Sequence, residues 1–168
     1  MKKNDLLLVE ELKDGKEKTL KSFYEEYFAL FVSFANTLLP SEEECKDVVH
    51  DVFLKYWDIR NDFDNLVAIR AFFYKSIRNT CLNQIRHQQV QNKYLAENLQ
   101  YLESDDFMHE TIIKKEIFHI IHNEIKSLTI MDQKVLLLAL DEKSNEEIAQ
   151  ELGIAVSTVK SHKAKSYA

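Results

Sequence analysis

Glycine and proline are almost missing from this chain: Gly15, Gly153 and Pro40 are its only backbone breakers in 168 residues. A turn-rich β fold needs many more, so the scarcity predicts helices throughout. Cys45 and Cys81 are too few for a disulfide framework, and neither has a second cysteine at metal-ligand spacing. Both are expected to be buried or half-buried thiols of a reducing cytosol. No run of about 18 apolar residues occurs, so no transmembrane helix is expected. The N-terminal MKKNDLLLVEELKDG follows its short apolar run directly with acids and has no signal-peptide core or cleavage site. No stable membrane insertion and a cytoplasmic location are therefore expected. There is no phosphate-binding loop, Ser/His/Asp constellation or cofactor fingerprint, so neither enzymatic activity nor a cofactor is expected.

Hydrophobic residues make up 45% of the chain. That is enough for a core and argues against wholesale disorder. The length fits one ordinary domain or two small ones. The formal net charge is −6 and the pI about 5.5, which predicts weak long-range attraction to nucleic acid. Two windows depart from the acidic average. Residues 69–91 hold Arg70, Lys75, Arg78 and Arg86 with no acid, and residues 152–168 hold Lys160, Lys163 and Lys165 with no acid. Local phosphate contact is open to both.

Apolar periodicity and stop signals predict helices over about 5–14 (ending at Gly15), 17–39 (stopped by Pro40), 42–60, 66–90 (capped by Asn65), 105–127 and 130–140. The core faces are Phe23, Tyr27, Leu30/Phe31 and Phe34, then Val48, Val49, Val52, Phe53, Tyr56 and Trp57, then Ile69, Phe72/Phe73, Ile77, Cys81 and Ile85. Ser41–Glu44 reads as a capping box. From His87 to about Glu110 the sequence turns Gln/Asn-rich and then acidic, which reads as a linker. The expected division is a first domain over 1–90, a linker over 91–110 and a second domain over 111–168.

The C-terminal stretch NEEIAQELGIAVSTVKSHKAKSYA carries a helix-turn-helix pattern. Ser144–Glu147 is a second capping box, opening a helix with Ile148, Ala149 and Leu152 inward. Gly153 stands where the turn between crossed helices needs positive φ, Ile154 plugs the corner, and Val159 faces inward from the next helix. Ala149 is small because that helix crosses close over it. Ser157, Thr158, Lys160, Ser161, Lys163 and Lys165 point outward. A recognition helix contacts base edges with such short polar groups and phosphates with the cations around them.

With DVVHDVFLKYW (47–57) and AFFYKSIRNTCLNQIRHQ (71–88), the chain resembles region 2 of the extracytoplasmic-function sigma factors of bacterial RNA polymerase. Residues 127–162 resemble their region 4. The resemblance implies an all-α protein of two small helical domains joined by a flexible linker. It implies core RNA polymerase and promoter DNA as partners, an anti-sigma factor as a further one, and a monomer when free. Asp47, His50, Asp51, Leu54, Lys55 and Asp58 match the face that grips the polymerase clamp; the family commonly has Gln where His50 stands. Arg70, Tyr74, Lys75, Arg78, Asn79, Asn83 and Arg86 match the −10 surface, with cations for phosphates, Tyr74 for stacking and Asn79 near a flipped base. The polar loop 60–67 matches the pocket for that base, and Trp57 is expected in the core with its ring near this surface. The helix-turn-helix would read the −35 element. After His162 the family has further apolar residues where this chain reads Lys163-Ala164-Lys165-Ser166-Tyr167-Ala168. The recognition helix is thus expected to be short, with Tyr167 supplying its apolar contact.

Two other readings compete. Glu116-x-x-His119, with His122 nearby, resembles half of a carboxylate-bridged di-metal site, but no second copy exists. A stand-alone helix-turn-helix regulator, with a ligand-binding or dimerising N-terminal domain, would bind duplex DNA without polymerase.

Overall fold

The computed structural model describes residues 3–88 and 99–166, and it is helical with no strand among them. It forms two compact units, residues 1–116 and 117–168.

The first unit begins with α1 (Lys3–Lys13), α2 (Glu17–Ala35) and α3 (Glu42–Ile59). A 3₁₀ turn (Arg60–Asp62) leads into α4 (Leu66–Gln88). Residues 99–102 are helical, and α5 (Asp105–Ser127) follows and runs through the division between the units. The end of α1 is a Schellman motif. Lys16 N–H bonds the Glu11 carbonyl and Gly15 N–H the Leu12 carbonyl, with Gly15 at φ +70°. Helix α2 stops at Ala35, earlier than Pro40 alone predicts. Leu38 and Leu39 both donate to the Ala35 carbonyl and Thr37 bonds the Phe34 carbonyl, which turns the chain and still buries Leu38 and Leu39. At Ser41 the side chain accepts from Glu44 N–H, which is the serine half of the expected capping box.

Every expected core residue of α2, α3 and α4 is buried, except Trp57 and Phe72, which are half-buried. Phe23, Phe31, Phe53, Tyr56 and Phe73 form one ring cluster, in which Phe31 and Phe73 stack at 4.6 Å with planes 1° apart. Full burial of such a side chain contributes about 1.5–3 kcal/mol, so this cluster fixes α4 against α2 and α3. Cys45 and Cys81 are free and buried.

Part of the stretch read as a linker is built into this unit. Leu99, Leu102, Phe107, Met108 and Ile112 pack against its core. The acidic character of 103–106 hid that apolar spacing. Residues 89–98 lie outside the described residues.

The second unit holds the end of α5, then α6 (Ile130–Leu140), α7 (Asn145–Leu152) and α8 (Val156–Ser166). Its core is small. Val135, Ile148, Ala149 and Val159 are buried, with Leu138, Ala139, Leu152, Ile154 and Val156 packed around them. Among the described residues no helix is long and apolar enough to cross a membrane.

Candidate nucleic-acid interface

In the second unit, Thr129 caps α6 and Ser144 caps α7, the latter with both halves of the box: Ser144 Oγ accepts from Glu147 N–H, and the Glu147 carboxylate accepts from Ser144 N–H. That second bond, with the Ser144 hydroxyl, holds the Glu147 carboxyl below its usual range. Gly153 then adopts φ +66°, and Ile154 N–H returns to the Ala149 carbonyl 3.0 Å away. The chain turns there and sends α8 back across α7, with Val159 fully buried and Ala149 7% exposed at the crossing.

Ser157, Ser161 and Lys165 fall four residues apart on the outer stripe of α8, flanked by Thr158 and Lys160, and all five are exposed. Lys163 departs from the expected set. Its ammonium donates to Asn145 Oδ1 at 2.6 Å, so it ties α8 to the start of α7 rather than projecting outward. His162 is tied inward as well: Nδ1 lies 2.5 Å from the buried Asp132, which also accepts from Thr129 Oγ1 at 2.6 Å. Tyr167 lies outside the described residues.

In the first unit, the residues singled out on α4 fall on two strips. At 100° per residue, Arg70, Tyr74 and Arg78 share one side, and Lys75, Asn79, Asn83 and Arg86 another. The second strip is exposed and offers two cations and two amides. The first is engaged. Tyr74 is 3% exposed, with its ring edge-on to Phe31 and Phe34 and its hydroxyl donating to Glu116 at 2.8 Å. Burial first, and that bond second, raise its phenol far above the usual value. Arg70 pairs with the same carboxylate at 2.9 Å. Arg78 donates to the Glu103 and Ser104 carbonyls and lies 3.9 Å from Asp105. On the exposed strip Arg86 meets Glu103 at 2.6 Å and Asn83 at 2.8 Å. Sequence reading missed Glu103 and Glu116 as partners, because pairings 17 to 46 residues apart leave no local signal.

On α3, Asp47, His50, Asp51, Leu54, Lys55 and Asp58 are all exposed, with Leu54 at 68%. His50 and Leu54 line an apolar groove of about 600 Å³ with Leu20, Tyr24, Phe53 and Trp57. Tyr24 was not expected there. Its hydroxyl is 2.5 Å from His50 Nε2, and the His50 ring also stacks on Phe28 at 4.8 Å. Trp57 is half-buried, with the Arg60 guanidinium 4.1 Å from its ring centroid. Loop residue Asn65 caps α4 by accepting from Ala68 N–H.

The Glu116-x-x-His119 idea finds no geometric support. Glu116 is taken by Arg70 and Tyr74, His119 lies 3.1 Å from Asn123, and among the described residues no group of three acids, histidines or cysteines is placed to hold a metal.

The chain thus carries a helix-turn-helix with a polar outer stripe and, on a separate unit, a helix with a cationic and amide strip. Both fit nucleic acid. In comparison with known families, residues 23–90 match the model of Sigma-70 region 2, and residues 118–168 match that of Sigma-70, region 4. No curated protein matches the chain significantly.

Proposed function

The chain belongs to the sigma-70 family, and we propose that within it the protein is a sigma factor of the extracytoplasmic-function type, which binds core RNA polymerase, directs it to promoters and helps open the duplex. The observation that carries this reading is the order of the two matches on one short chain, region 2 then region 4, each falling on a unit with an exposed polar strip of the right chemistry.

The outer face of α3 (Asp47, His50, Asp51, Leu54, Lys55, Asp58) grips the polymerase, with the apolar groove beside His50 and Leu54 adding desolvated area. Arg70, Lys75, Arg78, Asn79, Asn83 and Arg86 hold the opened −10 strand, while Tyr74, expected to stack on a base, is instead packed edge-on to Phe31 and Phe34 and supports this surface from the core. Cations neutralise its phosphates, and amides meet the edges of unstacked bases. Ser157, Thr158, Lys160, Ser161, Lys163 and Lys165 serve the −35 duplex, with Lys163 acting through Asn145 unless that bond opens. Residues 1–90 and 111–168 carry the two readers, and 91–110 separates them along the chain. An anti-sigma factor is the expected inhibitor. The free protein is a cytoplasmic monomer without enzymatic activity.

The acidic net charge fits this division of labour. A weakly attracted protein avoids occupying DNA alone, and the polymerase supplies the missing affinity.

Reconstitution with core polymerase tests the reading. The expected result is promoter-specific transcription that neither component gives alone. Asn79→Ala should impair opening more than closed-complex binding. Lys160→Ala should weaken the closed complex and reduce its salt slope by about 1. Tight duplex binding by the free chain, with no response to polymerase, would instead favour a stand-alone regulator.

A further inference from the structure

The side of α4 formed by Arg70, Tyr74 and Arg78, together with Arg86 at its far end, is occupied by the chain's own residues 103–116. Glu116 takes Arg70 and the Tyr74 hydroxyl. The Glu103 and Ser104 carbonyls and the Asp105 carboxylate take Arg78, whose side chain is left 14% exposed. The Glu103 carboxylate takes Arg86 through both Nε and Nη2. Lys115 adds a bond to Ser33 of α2 at 2.7 Å. Three guanidinium groups of one helix are therefore met by oxygens from one short segment.

A guanidinium fork binds carboxylate and phosphate with the same geometry and cannot serve both at once. Glu103 and Glu116 thus sit where strand phosphates would, and Glu116 is further held by the hydroxyl of Tyr74, whose ring lies in the core against Phe31 and Phe34. The apolar anchors of the segment (Phe107, Met108 and Ile112) and of the turn before it (Leu99 and Leu102) are only partly buried, unlike the ring cluster beneath them. The Arg86–Glu103 pair is half-exposed, and pairs of that kind hold weakly. A cover held this way is displaceable. Lys75, Asn79 and Asn83 stay exposed beside it, so a strand has a place to make first contact.

We propose that residues 103–116 are an intramolecular stand-in for the DNA strand: they occupy the arginines of α4 in the free protein and must leave before the −10 strand is held in full. The inference rests on the reading of α4 as the strand-binding surface. It adds that this surface is autoinhibited in cis by an acidic segment.

Binding of a fluorescently labelled single-stranded DNA oligomer to the full chain tests it at low salt. The Glu103→Gln, Glu116→Gln double variant should bind at least about fivefold more tightly than the parent, since two ion pairs no longer compete. Adding Lys75→Ala should weaken binding again. Hydrogen exchange of the unaltered protein at saturating oligomer should speed up across residues 99–116. Equal affinity of double variant and parent, with Lys75→Ala still weakening both, would overturn the cover and keep the strand surface. Equal affinity with no effect of Lys75→Ala would remove the strand surface and the cover together. Should the double variant lose its helical circular dichroism, the exchange experiment decides, and slower or unchanged exchange across 99–116 counts against the proposal.

Discussion

His162, in the helix assigned to −35 reading, places Nδ1 2.5 Å from Oδ1 of Asp132, thirty residues earlier in the first turn of α6. The bond fixes the rotation of α8 about its own axis, and so decides which residues α8 turns outward. The hydroxyl of Thr129 and then His162 hold the Asp132 carboxyl below the ordinary aspartate range. A depressed acid contributes stability above its unfolded pKa and loses it as pH falls through the folded one. The contribution is therefore complete above about pH 4 and disappears below it. Asp132→Asn should lower the melting temperature of the second unit near neutral pH. The gap between variant and parent should shrink as pH drops below 4, measured by circular dichroism.

The second unit has few fully buried apolar side chains, and small domains are marginal. Ile148→Ala removes one of them at a cost of about 2–5 kcal/mol. The expected outcome is an unfolded second unit beside an intact first one. Trp57 is the only tryptophan and lies in the first unit. Its fluorescence transition should stay in place while part of the helical signal is lost, and with it the duplex binding proposed for this unit.

Two left-handed positions flank α7. Gly153, at φ +66°, has open space where a Cβ would go. Gly153→Ala thus meets no clash, and its cost is conformational, about 1 kcal/mol. Glu142 sits at φ 59° in the C′ position of a second Schellman motif, with Lys143 N–H on the Leu138 carbonyl and Glu142 N–H on the Ala139 carbonyl. Glycine suits that conformation better, so Glu142→Gly should stabilise the unit by up to about 1 kcal/mol. Denaturant titration of the two variants should move the midpoint in opposite directions.

Burial pushes the Cys81 thiol up to about 12 and raises that of Cys45. Only the thiolate reacts. A disulfide reagent added to the native protein at pH 8 should therefore find almost no reactive thiol, and two after denaturation. Fast native modification would mean that the first unit opens readily.

The capping serines, Gly153 and the alternation of Ile148, Ala149 and Val159 are local signals, and they made α7 and α8 legible in the sequence. The rings of α2, α3 and α4 announced the first core in the same way. The state of the charged residues was not legible. Arg70 and Lys75 look alike in a list of cations, yet one faces Glu116 and the other solvent. That difference depends on where a segment 46 residues away comes to rest. Lys163 was misplaced for a related reason, since its partner Asn145 read as part of a cap. The apolar spacing of Leu99, Leu102, Phe107 and Ile112 could have been found, but acids interrupt it.

The Phe31–Phe73 stack does more than fill space. It clamps α4 in its first half, so the exposed residues beyond it follow at about 1.5 Å of rise per position along one edge of the helix. Such an edge works as a ruler. Lys75, Asn79, Asn83 and Arg86 are its graduations, and the zero mark is set by two rings in the core. A change that shifts those rings would displace every graduation together, and the protein would misread a strand without losing a single contact residue.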